Sequence, residues 1–156
     1  HCAFGHLRAV SDGHNLIRLD WDQRDFAEPD NPDDVSRETC RQLEAYLAGR
    51  RRVFSLPLLA EGKSDTARAW LTDMAKIPYG TTMTYGDFAA AGKPGAPRAA
   101  GTACSTNPIP IIYPCHRVVR AGGALGNYGG GSNLDPKHPD NLGRKQALID
   151  LERRFA

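Results

Sequence analysis

Thr84-Tyr85-Gly86-Asp87-Phe88-Ala89-Ala90-Ala91-Gly92-Lys93-Pro94-Gly95-Ala96-Pro97-Arg98-Ala99-Ala100-Gly101-Thr102-Ala103-Cys104-Ser105-Thr106 is punctuated as two helices joined by a turn. Thr84 followed three residues later by Asp87 is a capping-box-like start and predicts a helix to about Ala91. Gly92 to Gly95 supplies the turn, and Pro97 sits in the first turn of a second helix reaching about Thr106. The pattern is that of a helix-turn-helix.

Upstream, Ser64 and Asp65 open a helix that carries Ala67, Trp70, Leu71 and Met74 at helical spacing and stops at Pro78-Tyr79-Gly80. Nearer the N-terminus, Phe4 to Val10 and Asn15 to Trp21 flank an Asp12-Gly13 turn as a hairpin. Asp33 and Asp34 cap a helix whose core face runs Val35, Cys40, Leu43, Tyr46 and Leu47 to Gly49, and Val53 to Leu59 is expected to return as a strand. Downstream, Ala147, Leu148, Leu151 and Phe155 form one face of a terminal helix, with Glu152 beside that stripe. The expected class is α/β (α+β): a small N-terminal sheet with one helix, residues 1–62, then a mostly helical, winged-helix-like domain, residues 63–156. No internal repeat or low-complexity tract interrupts it.

At 156 residues, 40% hydrophobic and 24% charged, the chain has the make-up of an ordinary globule. No apolar run approaches the roughly 20 residues that span a bilayer, and His1 to His6 lacks the pattern of a secretory signal, so a cytoplasmic or nucleoid-associated protein is expected. Cys2, Cys40, Cys104 and Cys115 show no paired spacing, which suggests neither a disulfide framework nor a zinc knuckle. Cys2 with His6 is weak support for a metal site, and none is expected. Net charge is only +2. From Tyr85 onward, however, Lys93, Arg98, Arg117, Arg120, Lys137, Arg144, Lys145, Arg153 and Arg154 outnumber Asp87, Asp135, Asp140, Asp150 and Glu152. That surplus suits a polyanion or an evenly solvated surface equally well.

Within the basic half, Tyr113-Pro114-Cys115-His116-Arg117-Val118-Val119 sets a thiol, an imidazole and a guanidinium side by side. A cysteine attacks as thiolate, and at a free pKa of about 8.5 little is ionised at neutral pH. With Pro114 first in a short helical turn, Cys115 would lie near unpaired backbone N–H groups, and His116 is placed to take a proton through water. An isolated Cys-His pair is also compatible with a buried small hydrophobe beside a satisfied core histidine.

The second helix of the helix-turn-helix is almost free of bulky side chains. Ordinary helices are about 10–12 Å wide and the B-form minor groove only about 6 Å, so most recognition helices use the major groove. An Ala/Gly/Ser/Thr helix suits a somewhat widened minor groove, with Arg98 alone projecting into the duplex, or else tight packing inside the protein.

Together, Ile77-Pro78-Tyr79-Gly80-Thr81-Thr82, Thr84-Tyr85-Gly86, Asn107-Pro108, Pro114-Cys115-His116-Arg117-Val118-Val119 and Gly126-Asn127-Tyr128 resemble the O6-alkylguanine-DNA alkyltransferase family, and Phe4-Gly5-His6-Leu7 resembles its usual opening. The resemblance implies direct repair of O6-alkylguanine, and less well of O4-alkylthymine, by irreversible transfer of the alkyl group to a protein cysteine, once per molecule and with no cofactor. On that resemblance Cys115 is the acceptor, His116 takes the thiol proton through a water, and Glu152 orients His116. Tyr85 lies near the flipped base and its phosphate, Asn107 is the hinge between recognition helix and active-site turn, and Arg98 enters the stack in place of the flipped nucleotide. The DNA face implied is Arg98, Ala99, Thr102, Ala103, Ser105, Tyr85 and Arg117, with Arg117 also helping to hold the active-site region. Tyr128, Gly129, Asn127 and Pro110 are implied in the substrate pocket. The partner is alkylated double-stranded DNA, bound by a monomer through the minor groove.

The chain departs from the family pattern in two places. Ser132 to Gly143 looks like an insertion beside the pocket, either a solvated loop or a further DNA contact through Lys137 and His138. Gly129 stands where some members carry a hydroxyl, so backbone N–H groups are expected to bind the base oxygen there. Two rivals are a lesion-sensing protein of the alkyltransferase-like class, which lacks the acceptor cysteine, and a Cys-His hydrolase or redox enzyme, for which no oxyanion architecture or resolving cysteine is evident.

Overall fold

A computed structural model describes residues 5–22, 31–92, 97–126, 128, 135 and 137–156. The chain begins with an antiparallel hairpin, β1 (His6–Ser11) and β2 (Leu16–Asp22), in register from His6 opposite Asp22 to Val10 opposite Arg18. Leu16, Leu19 and Trp21 of β2 are buried, whereas the ends of the turn, tied by Asp12, face solvent. Helix α1 (Asp34–Leu47) starts at a full capping box: Asp33 accepts from the Ser36 N–H and the Ser36 hydroxyl oxygen accepts from the Asp33 N–H.

Two expectations for this half are corrected. Cys40 is exposed rather than core, because the buried stripe of α1 runs through Thr39, Gln42, Leu43 and Tyr46, one position back along the helix. Val53 to Leu59 forms no strand of its own. Val53 is 74% exposed, and pairing is confined to Leu58 bridging parallel to Leu16, with Leu16, Leu59 and Glu61 sharing backbone hydrogen bonds along the start of β2.

After the Ser64 cap comes α2 (Asp65–Met74), then β3 (Met83–Thr84), α3 (Tyr85–Gly92) and α4 (Pro97–Ser105). Thr84 Oγ1 accepts from the Asp87 N–H at 3.1 Å, the first half of the expected capping box. Lys93 to Ala96, the expected turn, lies outside the described residues. Trp70 of α2 packs edge-on against Phe88 of α3 with centroids 5.3 Å apart, which holds the helix pair against α2. β4 (Val118–Val119) pairs parallel to β3, Met83 opposite Val118, and so docks the segment after Cys115 onto the entry of the helix-turn-helix.

The last helix, α5 (Pro139–Phe155), begins earlier than the sequence suggested. His138 caps it by accepting from the Asp140 N–H, and Pro139 stands at its first position. Pro139 to Gly143, expected as part of an inserted loop, is therefore helix. The N- and C-terminal halves are joined by the backbone itself, the Leu19 N–H donating to the Pro108 carbonyl at 2.8 Å.

The end of α5 meets the end of α1 at Gly49, whose φ is +77° and whose missing Cβ would lie 2.6 Å from the Phe155 ring. Gly49→Ala is expected to cost about 1 kcal/mol or more, since the left-handed backbone is strained for alanine even before the ring must move. Chemical denaturation checks this, and an unchanged midpoint would contradict it.

Candidate active site

Cys115 opens a single 3-10 turn, Cys115–Arg117, and is 1% exposed. Pro114 stands just outside the turn as its cap residue, one position earlier than expected. The turn is positioned by the Asn107 side chain: its Nδ2 donates to the Tyr113 carbonyl at 2.8 Å and to Cys115 Sγ at 3.2 Å, and its Oδ1 accepts from the Ile109 N–H at 3.0 Å. Between them Ile111 is held at φ +72°, a conformation disfavoured for a β-branched residue and costing on the order of 1–3 kcal/mol. Buried packing of Ile109, Ile111 and Ile112, with the bridge between Pro110 and Tyr113, holds it there.

His116 is fully buried, and its Nε2 lies 2.7 Å from Glu152 Oε2. Glu152 projects from α5 and, at 1% exposure, collects the donors a buried carboxylate requires. Arg117 binds it bidentately, Nε to Oε1 and Nη2 to Oε2, each at 2.8 Å, while Arg117 Nη1 donates to the Ile77 carbonyl at 2.7 Å. The Gly80 N–H donates to Oε1 at 3.2 Å and the Tyr46 hydroxyl to Oε2 at 2.6 Å. Burial alone would raise the Glu152 pKa, but hydrogen bonds from His116 and Arg117 outweigh it and hold the group far below the ordinary carboxylate range.

An ionised carboxylate only accepts, so His116 carries its proton on Nε2 and presents the Nδ1 lone pair. Nδ1 is buried and has no hydrogen-bond partner among the described residues. Burial lowers the His116 pKa, against the opposing pull of Glu152, so the ring is neutral at neutral pH. Burial pushes the Cys115 thiol up, and the Asn107 hydrogen bond, the Lys145 charge and nearby backbone N–H groups oppose it without cancelling it. The resting site is thus a thiol next in the chain to a neutral imidazole, with donors already aimed at the sulfur that favour negative charge there when the thiol gives up its proton.

Tyr85 starts α3 with its hydroxyl 3.4 Å from Lys145 Nζ. Lys145, wholly buried on α5, also donates to the carbonyls of Val118, at 2.6 Å, and Leu125. Burial brings its pKa down to about 8. The close approach of Tyr85 requires Gly126, at φ +74°, where a Cβ would sit 2.8 Å from the ring.

On α4, Arg98 and Thr102 are exposed and Ala99 and Ser105 half-buried, forming a small-residue outer surface. Ala103 is buried, facing a groove of about 250 Å³ between α4 and α2 that Lys63, Trp70 and Leu71 also line. The resemblance puts it on the face that meets DNA, with Ala99 and Thr102, which line the same groove. Arg117, expected there too, is 6% exposed and engaged with Glu152 and Ile77, so its place is structural support of the site. Tyr128 and Pro110 are buried, Tyr128 edge-on to Trp21 at 6.3 Å. Asn127, Gly129 and Cys2 lie outside the described residues. Among the described residues no cluster of three or more His, Cys, Asp or Glu side chains is placed to hold a metal ion.

Sequence reasoning missed Tyr46 and Lys145. Tyr46 was assigned to the core face of α1, where a phenol brings a hydroxyl that must find a partner. Lys145 sits near the apolar stripe of α5, an environment in which a lysine signals a buried, hydrogen-bonded role.

Residues 1–60 match the family model described as 6-O-methylguanine DNA methyltransferase, ribonuclease-like domain, and residues 65–154 the one described as 6-O-methylguanine DNA methyltransferase, DNA binding domain. The chain is 46% identical over 153 residues to a methylated-DNA–protein-cysteine methyltransferase of Mycolicibacterium paratuberculosis, spanning 96% of this chain and 80% of the relative. Its structure is similar to Mycobacterium tuberculosis OGT in complex with DNA, with TM-score 0.77, 36% identity, and coverage of 96% of this chain and 88% of that one. It is also similar to an O6-methylguanine DNA methyltransferase from Methanococcus jannaschii, with TM-score 0.64, 26% identity, and coverage of 94% and 87%.

Because the Glu152 pKa is depressed below its ordinary 4.5, the stability it contributes is complete above that pH and is lost as pH falls toward the folded-state value. Glu152→Gln is expected to lower stability at pH 7 by about 3 kcal/mol, through an unpaired buried Arg117, and to flatten the acid limb of the stability profile. Urea unfolding across pH 3–7 checks both; parallel profiles would contradict the assignment.

Proposed function

Since the chain belongs to the 6-O-methylguanine DNA methyltransferase family, we propose that it repairs O6-alkylguanine in DNA by moving the alkyl group irreversibly onto its own Cys115. The observation that carries this reading is the buried Cys115 thiol, hydrogen-bonded by Asn107 and followed in the turn by the neutral His116 that Glu152 holds.

DNA is the partner. The thin outer face of α4 enters the minor groove, and the flipped base is replaced in the stack by Arg98, offsetting part of the few kcal/mol that extrusion costs. Cys115 Sγ attacks the alkyl carbon, the bond from that carbon to O6 breaks, and the thiol proton passes through a water to His116 Nδ1. The departing guanine takes up negative charge, which a proton from the Tyr85 hydroxyl neutralises. The Lys145 ammonium, donating to that hydroxyl, stabilises the tyrosinate left behind. The product thioether is not displaced by water, so each molecule acts once. No cofactor takes part. O4-alkylthymine presents the same alkyl-oxygen bond and is the poorer substrate.

The protein works as a monomer of two units, residues 1–62 and 63–156, with chemistry in the second. We place it in the cytoplasm on the strength of its DNA partner alone. Among the described residues no helix is long and apolar enough to cross a membrane.

Excess duplex DNA containing O6-methylguanine should add one methyl group to the wild type, by intact mass, and none to Cys115→Ala. Lesion binding without any mass change would instead support a lesion-sensing role. Arg98→Ala should slow reaction with the duplex by roughly tenfold or more while leaving the free base O6-benzylguanine largely unaffected. Equal losses on both substrates would exclude the stacking role. The rate should fall as pH drops through the lowered His116 pKa, below the ordinary 6.5, because the imidazole must be neutral to accept the proton.

A further inference from the structure

Glu152 holds more donors than a relay to His116 needs, and one of them comes from the opposite half of the chain. Tyr46 reaches from α1 to Oε2, the same oxygen that faces His116 Nε2 and accepts from Arg117 Nη2. Its ring is fixed on two sides, tilted against Phe54 with centroids 5.4 Å apart and edge-on to Tyr79 at 6.1 Å. Fully buried, the phenol has no route to solvent that would let it swing away. A second link runs alongside: Arg52 lies over the Tyr79 ring and donates to the Phe155 carbonyl at the end of α5.

We infer that Tyr46 is a positioning residue for alkyl transfer, its hydroxyl fixing the Glu152 carboxylate and competing with His116 for Oε2, so that the N-terminal unit sets the orientation and basicity of the proton relay. This rests on the reading of His116 and Glu152 as that relay. A donor on Oε2 drains charge from the oxygen that supports the imidazolium. With Tyr46 in place, His116 is oriented firmly but stays a weak base in the resting protein; without it the carboxylate is freer to turn and pulls harder on the His116 proton. Other groups facing the pair are Arg117 on the cysteine turn, Lys145 on α5, Tyr79 before β3, Tyr128, and the Cys115 thiol. All of them remain in a Tyr46→Phe protein, which keeps the ring and its packing.

The test is single-turnover transfer from O6-methylguanine duplex across pH 4.5–8.5, with thermal unfolding of each variant. Tyr46→Phe should react roughly tenfold more slowly at neutral pH, and its acid limb should move up by about half a pH unit or more. A folded Tyr46→Phe with the wild-type rate and limb overturns the inference. Should Tyr46→Phe not fold, 3-fluorotyrosine at position 46 keeps the hydroxyl and makes it a stronger donor. The limb should then move down, and an unmoved limb overturns the inference. Glu152→Gln separates the two claims. If it transfers at the wild-type rate, the relay reading itself fails; if it is slow while Tyr46→Phe is not, only the role of Tyr46 fails.

Discussion

A carboxylate taken out of water must be surrounded by donors, and Glu152 draws them from every part of the molecule around it. Tyr46 comes from α1, Gly80 from the turn before β3, His116 and Arg117 from the cysteine turn, and Glu152 itself from α5. Losing one charged partner from such an arrangement typically costs about 3–5 kcal/mol, a large share of the stability of a domain this size. The requirement that satisfies the charge therefore also locks together the segments that form the site. Arg117 spans the distance between Glu152 and the Ile77 carbonyl and so pins the segment just after α2 to the cysteine turn.

Around that hub, the segment from Asn107 to Cys115 acts as a short, stiff arm. Two hydrogen bonds donated and one accepted by a single amide side chain, the strained Ile111 and the contact between Leu19 and Pro108 leave it little freedom. Rigidity of this kind suits a reaction in which sulfur, alkyl carbon and leaving oxygen must be in line, because misalignment by an ångström is costly. Burial, which discourages a free thiolate, is the same property that strengthens the donors aimed at the sulfur once charge develops.

Much of this was legible in the chain. The capping signals at Asp33, Ser64 and Thr84 carry their own physical cause and gave helix starts at Asp34, Asp65 and Tyr85. The cysteine turn was legible because Pro, Cys, His and Arg in succession have few structural uses. Elements that depend on distant partners were not. Val53 to Leu59 has a strand-like composition, yet only Leu58 finds a bridge partner, and nothing local marks that. Cys40 has the character of a core residue, and only the rotation of α1 against the hairpin exposes it. The resemblance gave Arg117 both a DNA contact and a part in holding the active-site region, and the partner that gives it the second, Glu152, lies 35 residues away in sequence. Tyr46 was hidden for the same reason, with a separation of 106 residues.

The central claim is that Glu152 fixes His116 as a neutral ring with its proton on Nε2 and its lone pair on Nδ1. Long-range proton–nitrogen NMR on nitrogen-15 histidine-labelled protein at neutral pH reads this directly, with the signal assigned by its loss in His116→Gln. The account predicts a protonated Nε2 and an unprotonated, pyridine-like Nδ1. An imidazolium, or the opposite tautomer, would contradict it.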